Sequence, residues 1–255
     1  MPRHPTWVRP SLLSGNFAAP IAVLATRFQE PWLLAAAACF HSAFACAVMR
    51  PQCGWFGPVV TQFETNAREV WLTIDDGPAG DDSLRLGDEL AQRGVRATFF
   101  VIGRHLARQP EIARRWRDAG HTLANHTQTH PAHIFPWLWP ARLRAEIDDC
   151  AAALRAAGVL EQRWFRAPVG LKPVRLHPML AARKMRLIAW NVRGCDGVRT
   201  EPEAVVRRVT STARPGGIVL LHEGRPRSVE TILRTVDALR ADGFTFTVPD
   251  DAKLC

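Results

Sequence analysis

Short apolar runs alternate with longer amphipathic stretches from residue 70 almost to the end of the chain. The apolar runs predict seven β-strands, at residues 70–74, 97–102, 121–124, 163–166, 186–192, 217–221 and 244–248. The stretches between them predict helices at residues 83–93, 110–119, 141–157, 176–184, 202–213 and 228–241. Strands that alternate with helices form a mostly parallel sheet, either open and doubly wound or closed as a barrel.

Proline and glycine mark the ends of the predicted helices. Pro202 suits a first helical turn, and Gly94, Gly120, Gly158 and Gly243 follow helical stretches. A residue in the left-handed conformation commonly ends a helix, and glycine adopts it most easily. These signals support the predicted order of elements.

Residues 1–69 lack this alternation and are predicted to be a leader in front of one domain, residues 70–255. Residues 32–49 carry no charge. A helix of that length is about 27 Å long, close to the hydrocarbon thickness of about 30 Å, so we predict a membrane anchor. A cleaved signal peptide, with Ala43-Phe44-Ala45 as the cleavage site, and a buried or amphipathic helix are the alternatives.

The topology of such an anchor depends on the weaker apolar stretch upstream, which Gly15, Asn16 and Pro20 interrupt. If both stretches insert as a hairpin, the domain stays on the cytoplasmic side. If only residues 32–49 insert, upstream arginines favour a domain outside the cytoplasm. We therefore expect the protein to be anchored in the bacterial inner membrane or cell envelope. The side of the membrane on which the domain lies is left open, and a cytoplasmic location is the alternative.

Composition excludes several classes of protein. The 255 residues are 47% hydrophobic and 22% charged, which is enough to bury a core. Six cysteines form no Cys-x-x-Cys pair, which argues against a cysteine-built zinc site, and the absence of tyrosine excludes a catalytic phenol. The net charge of +9 permits an anionic partner, but no nucleic-acid motif accompanies it, so no nucleic-acid partner is expected.

Polar and titratable residues recur where the predicted strands end. Functional groups of α/β folds gather at the carboxyl ends of parallel strands. The residues at these ends are Asp75, Asp76, Asn125, His126, Arg166, Asp196 and His222. A chance distribution would scatter them along the chain.

Two segments supply candidate metal ligands. The Asp-Asp-Gly-Pro run at 75–78 places two carboxylates at a strand end, although by itself it also suits a surface turn. His126 and His130 share one face of a helix or converge in a loop. Two histidines and one carboxylate form the ligand set of an open catalytic zinc site.

Four motifs occur in a fixed order: Asp-Asp-Gly-Pro at 75–78, His-Thr-x-x-His at 126–130, Arg-Ala-Pro-Val-Gly at 166–170 and Leu-Leu-His at 220–222. Over about residues 70–250 the chain strongly resembles the NodB-type polysaccharide deacetylases, carbohydrate esterase family 4. The resemblance implies a distorted (β/α) barrel with seven strands. It also implies a metal-dependent hydrolase that removes N-acetyl groups from an amino sugar in a polysaccharide or glycoconjugate.

The resemblance makes Asp76, His126 and His130 the metal ligands and Asp75 the catalytic base. Zinc is the expected metal, and cobalt, nickel and iron are also accepted by such a ligand set.

The remaining roles implied by the resemblance concern proton transfer and the oxyanion. Arg166 would orient the base, and His222, tuned by Asp196, would be the general acid. The backbone N–H of Val169 would help to stabilise the oxyanion.

One further motif region, residues 190–197, lies between the third and the last of these motifs and departs from the family pattern. Gly197 stands where a tryptophan normally follows Asp196, and Arg193 stands where the family often has an acid. These departures put the acyl pocket and the sugar-contacting surface in doubt. A related amidohydrolase, acting on another acyl group or on a lipid-linked amino sugar, is therefore the alternative function. A non-catalytic basic binding protein is the third.

Substrate contacts are expected from Pro168, Gly170 and Leu220 within the motifs, and from Trp137 and Trp139 in the aromatic segment 134–140. The tryptophans could stack on sugar rings, meet a membrane interface or pack the loop onto the domain. The expected partner is a glycan or glycolipid, with membrane association through residues 32–49. The sequence leaves the oligomeric state open.

Overall fold

The computed structural model describes residues 7–198 and 201–255. The chain begins with the helices α1 (Val8–Ala25) and α2 (Pro31–Met49) and the short strand β1 (Val59–Val60). The strands that follow are β2 (Glu69–Asp75), β3 (Thr98–Val101), β4 (Thr122–Asn125), β5 (Trp164–Phe165), β6 (Arg186–Ile188), β7 (Val192–Arg193), β8 (Gly217–His222) and β9 (Thr245–Phe246). The helices between them are α3 (Asp81–Gln92), α4 (Gly103–Leu106), α5 (Pro110–Asp118), α6 (Pro140–Ala156), α7 (Leu176–Ala181), α8 (Pro202–Thr212) and α9 (Ser228–Ala241).

The strands form one parallel sheet in the order β1-β6-β5-β4-β3-β2-β8-β7, and β9 pairs with β2. Because β1 and β7 lie at opposite edges, the sheet curls into a half-barrel instead of closing through that pair. Helices pack on its outer side. The predicted distorted α/β barrel with a preceding apolar helix is thus confirmed.

The predicted strand at residues 186–192 is wrong in one respect, because the structure divides it. The first part, β6, pairs with β1 and β5, whereas β7 pairs with β8 at the other edge of the sheet. Between the two, Ala189 and Trp190 pack into the interior cluster of the half-barrel. One continuous strand could not pair with both edges.

The predicted helices from residue 83 onward are confirmed, and each end lies within three residues of its prediction. Pro202 occupies the first turn of α8. Gly94 and Gly120 follow α3 and α5 with φ angles of 63° and 86°, the left-handed conformation expected of a helix end.

Side chains of β2 alternate between two environments. Val70 and Ile74 belong to the core beneath the outer helices, whereas Trp71 packs into the interior of the half-barrel. Thr73 and Asp75 lie on the same side as Trp71, since successive strand residues point to opposite faces. This period places Asp75 at the carboxyl end of the strand, facing the interior.

The segment before residue 70 takes part in the fold. β1 pairs with β6, and Phe63 forms a bridge with Leu254. The predicted division at residue 69 stays a prediction.

The residues that interrupt the upstream apolar stretch all lie within α1, which is one helix that includes Pro20. Its Asn16 amide donates to the carbonyl oxygens of Leu12 (2.8 Å) and, on α2, Phe40 (3.1 Å), and a Cβ added to Gly15 would meet the Phe40 ring. α1 and α2 therefore pack as an antiparallel hairpin. Its base joins Phe56 in a small apolar cluster.

Candidate active site

The register of two neighbouring strands brings the ends of β2 and β8 together. Asp75 and His222 are directly paired positions of these strands, and each follows a residue of the outer core, so both face the interior. Asp75 is 3% exposed, and its Oδ1 accepts a hydrogen bond of 2.7 Å from Nη1 of Arg166. The buried carboxylate of Asp75 is thus held at the carboxyl ends of the strands, next to His222.

Arg166 is fully buried and is fixed from several sides. It donates to the carbonyl oxygens of Ile188 (3.2 Å) and Ala189 (3.1 Å) and to the hydroxyl of Thr73 (2.8 Å). Its guanidinium also lies 4.0 Å from the centroid of the Phe100 ring. Because these contacts use the planar guanidinium in one orientation, they fix the direction of the Asp75 carboxylate.

Three side chains converge beside this pair. Nε2 of His126 lies 3.6 Å from Oδ1 of Asp76, and Nε2 of His130 lies 3.5 Å from the same oxygen. That oxygen is buried and has no hydrogen-bond partner among the described residues. Ligands of a tetrahedral cation with bonds of about 2.0–2.1 Å are about 3.3–3.4 Å apart, so Asp76, His126 and His130 fit a metal ion.

Hydrogen bonding and burial keep both imidazoles suitable as ligands. Nδ1 of His126 donates to the carbonyl oxygen of Arg166 (2.9 Å), which leaves the lone pair on Nε2 free. Burial, followed by the nearby charge of His126, lowers the pKa of His130 to about 4. Burial would raise the pKa of Asp76, but its contacts with the three histidines, His126 foremost, hold it well below the usual range. The predicted ligand set therefore offers two imidazole nitrogens and one carboxylate.

The loops that carry these groups adopt strained backbone conformations. Asp76, Thr127, His130 and Val169 have φ angles of 79°, 69°, 53° and 54°. The left-handed region costs a residue other than glycine about 1–3 kcal/mol, and such strain clusters at functional sites. Hydrogen bonds offset the strain in the histidine loop, where the amide of Thr127 donates to Asn125 Oδ1 (2.9 Å) and that of His130 to Thr127 Oγ1 (3.0 Å).

His222 is held by Asp196 through two contacts. Its Nδ1 donates to Oδ1 of Asp196 (2.8 Å), and its backbone N–H donates to Oδ2 (2.6 Å). Burial would lower the pKa of His222, but Asp196 and the carboxylates of Asp75 and Asp76 outweigh burial and raise it. The imidazole therefore stays protonated to higher pH than an ordinary histidine, as a proton donor requires.

Comparisons with known proteins agree with this arrangement. The family model described as polysaccharide deacetylase matches residues 63–188. A chitooligosaccharide deacetylase of a Bradyrhizobium species is 38% identical over 167 residues, which are 65% of this chain and 75% of the relative. The chain belongs to the polysaccharide deacetylase family.

Solved structures of the family have the same fold. A family 4 carbohydrate esterase from Streptomyces lividans, in complex with acetate, superimposes with a TM-score of 0.67 at 29% identity, covering 75% of this chain and 98% of that one. A family 4 pseudoenzyme from Bacillus anthracis gives 0.68 at 26% identity, covering 74% and 66%. The fold alone therefore does not separate active from inactive members, and the side chains must decide.

In this family member the residues predicted for catalysis and metal binding lie in one place. Asp75, Asp76, His126, His130, Arg166, Asp196 and His222 are linked by the contacts described above. Val169 lies in the turn Pro168–Gly170 that follows β5. The roles assigned to all these residues stay predictions.

The predicted substrate-binding residues have different surroundings. Leu220 is buried in the interior cluster with Trp71, whereas Trp137 and Trp139 are 72% and 82% exposed. Pro168 and Gly170 are buried in the turn after β5. Their contacts with a substrate remain predictions.

Sequence reasoning missed three side chains of the site. Thr73 lies two residues before Asp75, so the period of the strand could have revealed it. Glu223 and Arg225 follow His222 without any local signal. Burial raises the pKa of Glu223 to about 8. Nη2 of Arg225 lies 3.2 Å from Oδ2 of Asp76.

Proposed function

We propose that the chain is a metal-dependent hydrolase that removes the N-acetyl group of an amino sugar in a polysaccharide or glycoconjugate. The observation that carries the proposal is the position of the Asp76-His126-His130 group beside two hydrogen-bonded pairs of side chains. One is the buried Asp75–Arg166 pair and the other is His222–Asp196. The name of the Bradyrhizobium relative supports a carbohydrate substrate.

A divalent metal held by the three ligands would polarise the acyl carbonyl and acidify a water molecule. Asp75 would accept the proton of the attacking water, because Arg166 orients its carboxylate. Asp76 differs from Asp75 in that its free oxygen points between the two imidazoles. Adjacent carboxylates thus receive different tasks from different surroundings.

His222 donates its proton to the departing nitrogen, so that the products are a free amine and acetate. The raised pKa of His222 keeps the donor protonated to a higher pH than an ordinary histidine. The left-handed backbone at Val169 sets the direction of its N–H, which we assign to the oxyanion.

Two other functions have some support. The glycine at position 197 favours a related amidohydrolase with a different acyl group or a lipid-linked amino sugar. The similarity to a pseudoenzyme favours a non-catalytic binding protein. Against the latter, every acid, base and ligand of the proposed site is present and buried or partly buried.

Acetate release tests the proposal directly. We expect the purified full-length protein to release acetate from acetylated chitooligosaccharides, peptidoglycan or a lipid-linked amino sugar, and to lose this activity with a chelator and regain it with zinc. No release from any of the three substrates would contradict the proposed function. Release of formate or another acid from the corresponding N-formyl or other N-acyl sugars, with no acetate from the acetylated ones, would instead favour the related amidohydrolase.

We further propose that the α1–α2 hairpin anchors the protein in a membrane. α2 is the one helix in the described part of the chain that is long and apolar enough to cross a bilayer, and only three of its 19 residues are buried. Trp32 and Phe17 are exposed on the hairpin. Next to its base, a groove of about 400 Å³ separates Phe44 from Trp137. Exposed tryptophans beside an apolar helix suit the interface of a bilayer.

Charges placed on α2 test the anchor. Leu34 and Ala38 are exposed on α2, and a lysine at the centre of a spanning helix costs about 2.5–3.5 kcal/mol. The double variant Leu34→Lys/Ala38→Lys should move from the alkali-resistant membrane fraction to the soluble fraction. Leu160→Lys, at a position 80% exposed on the domain, is the matched control and should stay with the wild type. A wild-type protein that is itself soluble would contradict the anchor.

A further inference from the structure

A cleft of about 450 Å³ adjoins the metal ligands between α4 and the loop after β8. Its walls include Asp76, His105, Arg108, Gln109, Glu223 and Arg225. The cleft reaches Asp76 itself, so a group bound in it lies beside the scissile bond. Nothing in the proposed reaction uses its two arginines.

Arg225 lies in this cleft beside Gly197. A Cβ built on Gly197 would lie 3.6–3.7 Å from the Cζ, Nη1 and Nη2 atoms of Arg225, which is ordinary contact, so a large side chain at 197 would compete with the guanidinium for space. Its Nη2 donates to Oδ2 of Asp76 (3.2 Å). Its Nε is buried and has no hydrogen-bond partner among the described residues. Arg225 thus pairs with one oxygen of Asp76 and still has an unpaired N–H donor, at Nε.

Arg108 supplies a second guanidinium to the same cleft. It is exposed, and no carboxylate pairs with it in the described part of the chain. The neighbouring polar side chains are engaged elsewhere, since His105 Nδ1 donates to the backbone oxygen of Asp76 (3.2 Å) and Gln109 Oε1 accepts from the amide of Gly80 (2.9 Å). Arg108 is therefore free to bind a ligand.

In the described part of the chain, the carboxylates of the cleft pair with Arg225 through one oxygen of Asp76 but not with Arg108. Asp76 is committed to the metal group through Oδ1 and to Arg225 through Oδ2. Glu223 is 3% exposed and contacts the hydroxyl of Ser83. Arginine pairs with carboxylates and phosphates through parallel hydrogen bonds, which suits two guanidiniums facing one small volume.

We propose that this cleft is an anion subsite, in which Arg225 and Arg108 bind a carboxylate or a phosphate carried by the amino sugar that is deacetylated. The proposal rests on the proposed function and narrows its substrate to an acidic or phosphorylated glycan. A neutral oligosaccharide would leave the guanidinium of Arg108 and the Nε–H of Arg225 without a partner.

The test compares three oligosaccharides of equal length, one neutral, one with a carboxylate and one with a phosphate on the sugar next to the acetamido group. We expect a higher kcat/KM for at least one anionic substrate, and this advantage should fall about tenfold or more in Arg108→Gln, since one charge-assisted contact is lost. Gly197→Trp should reduce the advantage as well, because the indole displaces Arg225. Arg114→Gln, an exposed arginine outside the cleft, is the control and should keep the wild-type advantage.

The outcomes separate the subsite from the reaction. Equal kcat/KM for the three substrates, or an advantage unchanged in Arg108→Gln, overturns the subsite and leaves the deacetylase intact. If no substrate is turned over, calorimetry decides: binding of an anionic oligosaccharide that Arg108→Gln weakens supports the subsite while the proposed function fails. A preference between carboxylate and phosphate identifies which anion the natural substrate carries.

Discussion

Replacement of Asp75 by asparagine should lower kcat by about 10²–10⁴-fold while metal binding is retained. The change keeps the shape of the side chain and an oxygen for Arg166, but it removes the group that accepts the proton of the attacking water. The metal ligands Asp76, His126 and His130 are unchanged. Steady-state acetate release and metal content per chain, measured on the same preparation, test this expectation.

A matched control separates loss of the base from loss of the fold. Asp88 is also paired with an arginine, Arg115, but it lies on the surface of α3. Asp88→Asn should therefore keep nearly the full rate. Arg166 retains its bonds to Thr73 and two carbonyl oxygens in Asp75→Asn, so circular dichroism should show a folded protein. A folded, metal-loaded Asp75→Asn variant with a near wild-type rate would show that another group is the base.

Removal of one imidazole from the metal group should abolish both metal binding and activity. His126→Ala leaves two ligands where an open catalytic site uses three, and it creates a small space beside the buried Asp76. We expect metal affinity to fall at least about 100-fold, because loss of an outer partner of a ligand already costs about 10–100-fold. Elemental analysis after dialysis measures the first effect, and acetate release measures the second.

His133→Ala is the control for this variant. His133 is exposed and lies three residues after His130, outside the group of ligands. The His133→Ala variant should bind metal with the wild-type stoichiometry. Stoichiometric metal in His126→Ala, with the activity preserved, would place the metal at other residues.

The sheet illustrates how far local patterns reach. Apolar runs bounded by turns located β2, β3, β4 and β8 within one residue or a few, because a strand buried on both faces must be apolar along its length. The run at residues 186–192 contained no sign of its division into β6 and β7. That division depends on the edges available for pairing, which exist only once the other strands have assembled.

The α1–α2 hairpin shows the same limit. Pro20 and Asn16 interrupt the apolar stretch, and both are unfavourable in an isolated helix. In the structure, Asn16 bonds to the backbone of Phe40, and the helix continues through Pro20. The partner that compensates for these residues lies on the next helix, so local propensity could not foresee it.

The sequence by itself determined the family and the alternating fold, and it predicted the metal-binding and proton-transferring side chains. These depend on residue type and on short spacings, such as the four positions from His126 to His130, and both can be read along the chain. Only the tertiary structure decided that Asp75 pairs with His222 in register, that Arg166 is locked by backbone carbonyl groups, and that Arg225 packs beside Gly197. These are contacts between residues far apart in the chain, and their distances are set by the packing of the whole half-barrel.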